Sequence, residues 1–322
     1  MKSVSIVVPV FDEAETVQAF YQEIYPYLKS EPYKFELIFV DDGSKDNTLS
    51  ILEQISHDDD RVKVIALARN FGHQIALTCG LDYAEGDAVI TMDGDLQHPP
   101  QLLPLLLSKW EEGFEVVQTI RRETRGVSLF KRISSRSFYR LINAMSSVSI
   151  IEGGSDFRLM DRNVLLTFRR FREKARFIRG IIGNIGYRQV QIEFVAPPRY
   201  AGSSKFSLKK MMAFALDGIT AYSRLPLRFA LYMGILMSLL SFTLTIDVIY
   251  TKFFTPDSVP GWATIAASVL FLGGLQLAGL GIIGEYIGRI FEEVKERPLY
   301  WIRSEAEHVG NTVKTTTKPR QV

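Results

Sequence analysis

The chain has little of what commonly carries soft-metal or thiol chemistry: one cysteine, Cys79, and four histidines in 322 residues. A single thiol excludes an internal disulfide and any multi-cysteine zinc or iron–sulfur site, and it fits a reducing compartment. His57, His73 and His308 stand at no metal-ligand spacing from one another and are assigned no chemistry, while Cys79 sits in an apolar stretch and reads as packing. Net charge is nearly absent too. With 38 Lys+Arg against 36 Asp+Glu the formal balance is +2, so composition gives no reason to expect nucleic acid as a partner, and any basic function must be local. Neither G-x-G-x-x-G after the first strand nor G-x-x-x-x-G-K-[ST] occurs, which removes support for a dinucleotide oxidoreductase or a P-loop NTPase. Met1 leads straight into SVSIVVPV without a basic segment or a small-residue cleavage site, so no signal peptide is expected.

Apolar residues are present in quantity and are unevenly spread. A mean hydropathy of +0.06 is high for a chain with 23% charged residues. Phe229 to Ile246 and Ser258 to Gly284 are uncharged runs of about 18 and about 27 residues, each long enough to cross a bilayer as a helix. Arg224 and Arg228 precede the first run and Arg289, Lys295 and Arg297 follow the second, whereas the connecting loop carries Lys252 against Asp257. This asymmetry predicts two spans of a cytoplasmic membrane with both termini and the large N-terminal part in the cytosol. The expected organisation is a cytosolic domain over residues 1–225, a two-helix membrane region over 226–290 and a cytosolic tail over 291–322. Gly274 with Ala278 and Gly284 with Gly288 give small-xxx-small spacings that favour a homo-oligomer. The Thr/Lys-rich stretch from Gly310 lacks apolar periodicity and is expected to be disordered.

The N-terminal part alternates short β-rich runs with helical patterns. SVSIVVPV, FELIFV, VKVIAL, DAVITM and EVVQTI are separated by helices beginning after Glu13, at Asn47, after Gly72 and after Pro99–Pro100. This is the pattern of an α/β domain with a mostly parallel sheet covered on both faces, and such sheets bind ligands at the C-terminal ends of their strands. Polar residues cluster at those ends: Asp12–Glu13, Asp41-Asp42-Gly43-Ser44, Arg69–Asn70 and Asp93-Gly94-Asp95. Each alone could be an N-cap or a turn. Acid in place of a glycine loop repels a diphosphate unless a divalent cation lies between them, and Asp93, Asp95 and Gln97 offer the hard oxygen ligands that suit Mg²⁺ or Mn²⁺.

These segments, together with Asp93-Gly94-Asp95-Leu96-Gln97-His98-Pro99-Pro100, resemble the family 2 inverting glycosyltransferases of GT-A fold. More narrowly, Ser155-Asp156-Phe157-Arg158-Leu159-Met160-Asp161-Arg162, Arg199-Tyr200-Ala201-Gly202-Ser203-Ser204-Lys205, Asp217-Gly218-Ile219 and Gly284-Glu285-Tyr286-Ile287-Gly288-Arg289 look like polyisoprenyl-phosphate glycosyltransferases of the bactoprenol glucosyltransferase type, relatives of the dolichol-phosphate mannose synthases. Two departures stand out. Family members often have glycine where Ser155 stands, and commonly aspartate where His98 stands; His98 is expected to be a tolerated variant and not a ligand.

The resemblance implies inverting transfer of a sugar, best matched by glucose from UDP-glucose, to undecaprenyl or another polyprenyl phosphate. It implies donor binding by Pro9, Glu13, Asp42 and Asp93, a metal on Asp93, Asp95 and Gln97, and catalytic roles for Asp95 and Asp156. A phosphate monoester is mostly dianionic at pH 7 and needs no strong base, so Asp156 is expected to orient the acceptor or balance charge. Basic residues interleave with apolar ones between Arg121 and Arg140, as in a helix on a membrane surface, and Arg122, Arg132 and Arg136 are the expected acceptor-phosphate contacts. Arg199 and Lys205, in a loop of small residues, are expected to close over donor phosphates. A processive polysaccharide synthase would carry a Gln-x-x-Arg-Trp motif after the acidic loop; Gln118 to Arg122 imitates four positions of it, ahead of Asp156. The other alternative is a membrane-anchored nucleotide-sugar-binding or flippase-associated protein without turnover, against which the intact acidic motif argues.

Overall fold

The structure, a computed structural model, describes residues 1–29, 32–122, 153–195, 197, 225–254, 261–309 and 312–316. The chain divides into two units, one of residues 1–144, 148–208 and 298–322, the other of residues 145–147 and 209–297.

Four strands form the centre of the first unit: β1 (Ser3–Val10), β2 (Lys34–Asp41), β3 (Val62–Leu67) and β4 (Ala88–Thr91). They lie in the order β4-β1-β2-β3, all parallel. β1 is buried from Val4 to Val10, as a near-continuous apolar run requires when both faces of a sheet are covered. Alternate residues serve opposite cores. Ile6 and Val8 pack with Phe20 and Ile24 of α1 (Val17–Leu28), Leu52 of α2 (Thr48–Asp58) and Leu106 of α4 (Leu103–Glu111). Val7 joins Ala76 and Leu77 of α3 (His73–Tyr83), Phe168 of α5 (Arg162–Phe168) and Ile182 of α6 (Ile178–Asn184). The helix α3 approaches closely because Gly80 has no side chain: a Cβ there would fall 2.2 Å from Val7 Cγ1.

Outside the centre the sheet is mixed. β6 (Gly154–Asp161) inserts antiparallel between β4 and β5 (Val116–Arg122), and β7 (Gln189–Val195) lies parallel to β5. The polar residues of β6 hide it in the sequence, yet Gly154 to Met160 are buried, Arg158 completely. Gln118, part of the synthase-like Gln-x-x-Arg, is buried in β5 and donates from Nε2 to the Ser155 carbonyl at 2.6 Å, so it supports the sheet.

The C-terminal segment departs from expectation. β8 (Ile302–Val309) pairs antiparallel with β3, and β9 (Thr312–Thr316) pairs with β8, so residues from Pro298 onward belong to the sheet unit and the stretch after Gly310 contains a strand. Composition could not reveal this, because the stabilising partner is the open backbone edge of β3, more than 230 residues earlier. Tyr83 donates its hydroxyl to Glu305 at 2.6 Å and Tyr300 to Asp82 at 2.9 Å, fastening the return.

The second unit contains two long helices, α7 (Leu225–Phe254) and α8 (Trp262–Val294). Each is long and apolar enough to cross a membrane, over Pro226–Leu244 and Phe271–Val294, with none of either window buried within the chain. Phe229, Leu239, Phe242, Leu277 and Ile287 are among the large apolar side chains left exposed along them. Apolar surface on this scale requires a nonaqueous surrounding or a partner.

Candidate functional site

The loops after β1 and β2 are tied together before any ligand arrives. Asp12 N–H donates to Ser44 Oγ at 2.9 Å, Lys45 N–H to Asp12 Oδ1 at 2.8 Å, Glu13 N–H to Thr48 Oγ1 at 2.9 Å, and Ala14 N–H to Asp46 Oδ2 at 3.2 Å. Glu13 Oε2 accepts from the Thr16 hydroxyl at 2.7 Å, and Pro9 lies in β1 paired with Val40. Asp42 points inward. Its Oδ1 and Oδ2 accept N–H bonds from Phe71 and Gly72 at 2.7 and 2.8 Å, holding the loop after β3. Burial pushes its carboxyl up, against the pull of those two backbone donors. Gly43, at φ +71°, allows this closeness: a Cβ would sit 2.5 Å from the backbone carbon of Arg69.

The loop after β4 carries Asp93, Asp95 and Gln97. Asp93 Oδ1 lies 2.7 Å from His73 Nε2. Burial works against ionisation of Asp93, but the charge and hydrogen bond of His73 oppose it and hold the carboxyl below the usual carboxylate range. Burial likewise lowers His73, and the charge and hydrogen bond of Asp93 override it, raising His73 to about 9. His73, which the sequence reading gives no chemistry, meets Asp93 because the start of α3 and the loop after β4 come together in space, which spacing along the chain does not reveal. Asp95 Oδ1 accepts the Gln97 N–H at 3.1 Å, and Gln97 Oε1 accepts from Arg121 Nη1 at 3.0 Å.

Asp156, on β6, is gripped by two guanidiniums. Arg158 Nη2 donates to Oδ1 at 2.8 Å; Arg179, 23 residues downstream on α6, donates from Nε to Oδ1 at 2.9 Å and from Nη2 to Oδ2 at 3.0 Å. Burial raises the Asp156 carboxyl, yet Arg179 and then Arg158 hold it well below the usual carboxylate range. Arg158 is 1% exposed, and burial pulls it down to about 10 despite its ion pair. Asp156 therefore carries a fixed negative charge at neutral pH and is a poor proton acceptor. Arg158 lies within the motif read from the sequence; Arg179 carried no signal, since only the packing of α6 brings it here.

Of the expected acceptor contacts, Arg122 is exposed at the end of β5 and ion-paired with Glu193 of β7. Arg132, Arg136, Arg199 and Lys205 lie outside the described residues, as do the basic segments around them.

Among the described residues no group of three or more His, Cys, Asp or Glu side chains is arranged to hold a metal. The loop after β4 nonetheless offers two carboxylates and an amide oxygen, with Asp93 kept anionic. That fits a hard divalent ion bound through one or two carboxylates and completed by substrate phosphates, not one enclosed by protein alone.

The Glycosyl transferase family 2 model matches residues 5–168, the span that contains all the strand-end acids and Asp156. The chain belongs to glycosyl transferase family 2. The GtrB C-terminal hairpin model matches residues 225–290 of this family 2 enzyme, covering α7 and most of α8. It is 44% identical over 299 residues to the uncharacterized glycosyltransferase YkcC of Bacillus subtilis, covering 93% of each chain. It is 40% identical over 308 residues to the SfII prophage-derived bactoprenol glucosyl transferase of Shigella flexneri, covering 96% of this chain and 99% of that one. Among solved structures it aligns with glucosyl-3-phosphoglycerate synthase from Mycobacterium tuberculosis in complex with Mn²⁺ and UDP-glucose, at a TM-score of 0.44 and 20% identity over 68% of this chain and 77% of that one.

Proposed function

We propose that this family 2 glycosyltransferase moves glucose from UDP-glucose to the phosphate of a polyprenyl lipid, such as undecaprenyl phosphate, with inversion at the anomeric carbon. The observation that carries the reading is similarity from end to end to a bactoprenol glucosyl transferase, spanning both the acidic site and the apolar hairpin. In this reading α7 and α8 span a cytoplasmic membrane, the sheet unit lies on the cytosolic side, and the enzyme works as a homo-oligomer.

Pro9, Glu13 and Asp42 form the donor side, where Asp42 acts through the loop it holds. Asp93, Asp95 and Gln97 would hold a divalent cation, Mg²⁺ or Mn²⁺, which when bound neutralises the departing diphosphate as a Lewis acid. Gln97 must exchange Arg121 for that role. Asp156 is assigned to the acceptor side, where it holds Arg179 and balances the charge of the buried Arg158. The lipid phosphate, with its second pKa near 6, supplies its own nucleophilic oxygen. Arg122, Arg132 and Arg136 are assigned to that phosphate, and Arg199 and Lys205 to the donor phosphates, on family resemblance.

The test is transfer of radiolabel by the purified full chain in detergent, with undecaprenyl phosphate, Mg²⁺ or Mn²⁺ and a panel of nucleotide sugars. A labelled lipid from UDP-glucose, lost in Asp95→Ala, is expected. Product from another donor alone would correct the sugar, and no lipid product from any donor would overturn the assignment.

A further inference from the structure

His98 has a place in this site that its position among the expected ligands does not suggest. It is 7% exposed and makes its polar contacts with protein. The Asp93 N–H donates to its Nδ1 at 2.8 Å, and its Nε2 lies 2.8 Å from Ser155 Oγ. A backbone N–H can only donate, so Nδ1 is the bare nitrogen and Nε2 carries the proton. The ring is stacked on Phe157, with centroids 5.2 Å apart at 20°, and meets the edge of Phe194. Ser155 Oγ in turn accepts the Phe157 N–H at 3.2 Å.

The imidazole is thus a strut between two chain segments that must be held in mutual register: the Asp93–Gln97 loop and the start of β6 at Ser155–Asp156. The two positions at which the sequence departs from the common family pattern, His98 and Ser155, are hydrogen-bonded to each other. We propose that His98, together with Ser155, is a positioning residue for sugar transfer, setting the distance between the donor-side acids and Asp156. It does not touch the reacting atoms. This rests on the transferase reading above, and the experiment separates the two.

His98→Phe keeps the aromatic stack and removes both nitrogens, Ser155→Ala removes one end of the strut, and His98→Asn retains an acceptor near the Nδ1 position. Transfer is measured per nucleotide-binding-competent site in the full chain. A misplacement below 1 Å is expected to lower kcat about 10- to 100-fold in His98→Phe, with donor KM within about threefold of wild type. His98→Asn is expected to recover part of the loss. The double variant His98→Phe/Ser155→Ala should fall no further than about threefold below the worse single variant, because both act through one bond. A kcat in His98→Phe within twofold of wild type, or losses that multiply in the double variant, would overturn the proposal. If wild type transfers nothing, the transferase reading fails, and ¹⁵N-histidine spectra of the full chain still decide the strut. They should show one ring with Nδ1 bare and Nε2 protonated, perturbed by Ser155→Ala; a ring protonated at Nδ1 refutes it.

Discussion

Substituting Asp156 by asparagine should damage folding more than its single charge suggests. The carboxylate is the only acidic group hydrogen-bonded to Arg158 among the described residues, and Arg158 is 1% exposed with Nε and Nη1 already lacking partners. Burial pulls Arg158 down while the guanidiniums hold Asp156 low, so each charge depends on the other being present. Such a pair adds little when intact, but breaking it strands a buried cation at a cost of about 3–5 kcal/mol. For a unit of this size 1 kcal/mol corresponds to about 2–4 °C, so the unfolding midpoint should fall by about 6–20 °C. Arg179→Met should cost less than about 1 kcal/mol, since that side chain is 38% exposed and partly screened. The assay is thermal unfolding of the full chain in detergent, followed by tryptophan fluorescence. Asp156→Asn combined with Arg158→Met, which removes both charges, should restore at least half of the loss. A drop of under about 2 °C in the single variant, or no recovery in the double, refutes the reasoning that a compensated buried charge is what Asp156 provides.

Two further outcomes follow from the same geometry. Because the folded Asp156 is held below its unfolded pKa, its stabilisation is fully present above about pH 4 and disappears as pH falls through the folded value. The difference in midpoint between wild type and Asp156→Asn should therefore be flat from pH 5 to 8 and shrink only below about 4; a slope between 6 and 8 would contradict the clamp. Gly43→Ala forces a side chain into a backbone conformation at φ +71° and into contact with Arg69. It should weaken nucleotide-sugar binding at least tenfold by displacing the loop after β3, at a strain cost of about 1–3 kcal/mol; isothermal titration showing unchanged affinity would count against that loop's role.

Much of this protein was legible in the order of its residues. The strands Ser3–Val10 and Val62–Leu67 and the helix starts at Thr48 and His73 are local events, announced by apolar runs and by the polar residues that stop them. The long apolar helices announce themselves by the length of their uncharged runs, because a helix satisfies its own backbone hydrogen bonds and needs no partner strand to form. Asp93, Asp95 and Asp156 stood out because acids gather at strand ends and in ordered motifs. Tertiary structure alone decided the rest, and for one physical reason: partners far apart in sequence leave no local pattern. β6 reads as polar although the strands on either side bury it, and β8 and β9 read as tail because the edge they complete belongs to β3. Arg179 is an unremarked arginine until α6 carries it to Asp156, and His98 is a substituted aspartate until its ring is found between Asp93 and Ser155. Sequence determined which groups could do the chemistry; the packing of distant segments decided which charges are fixed, which are compensated and what holds them in place.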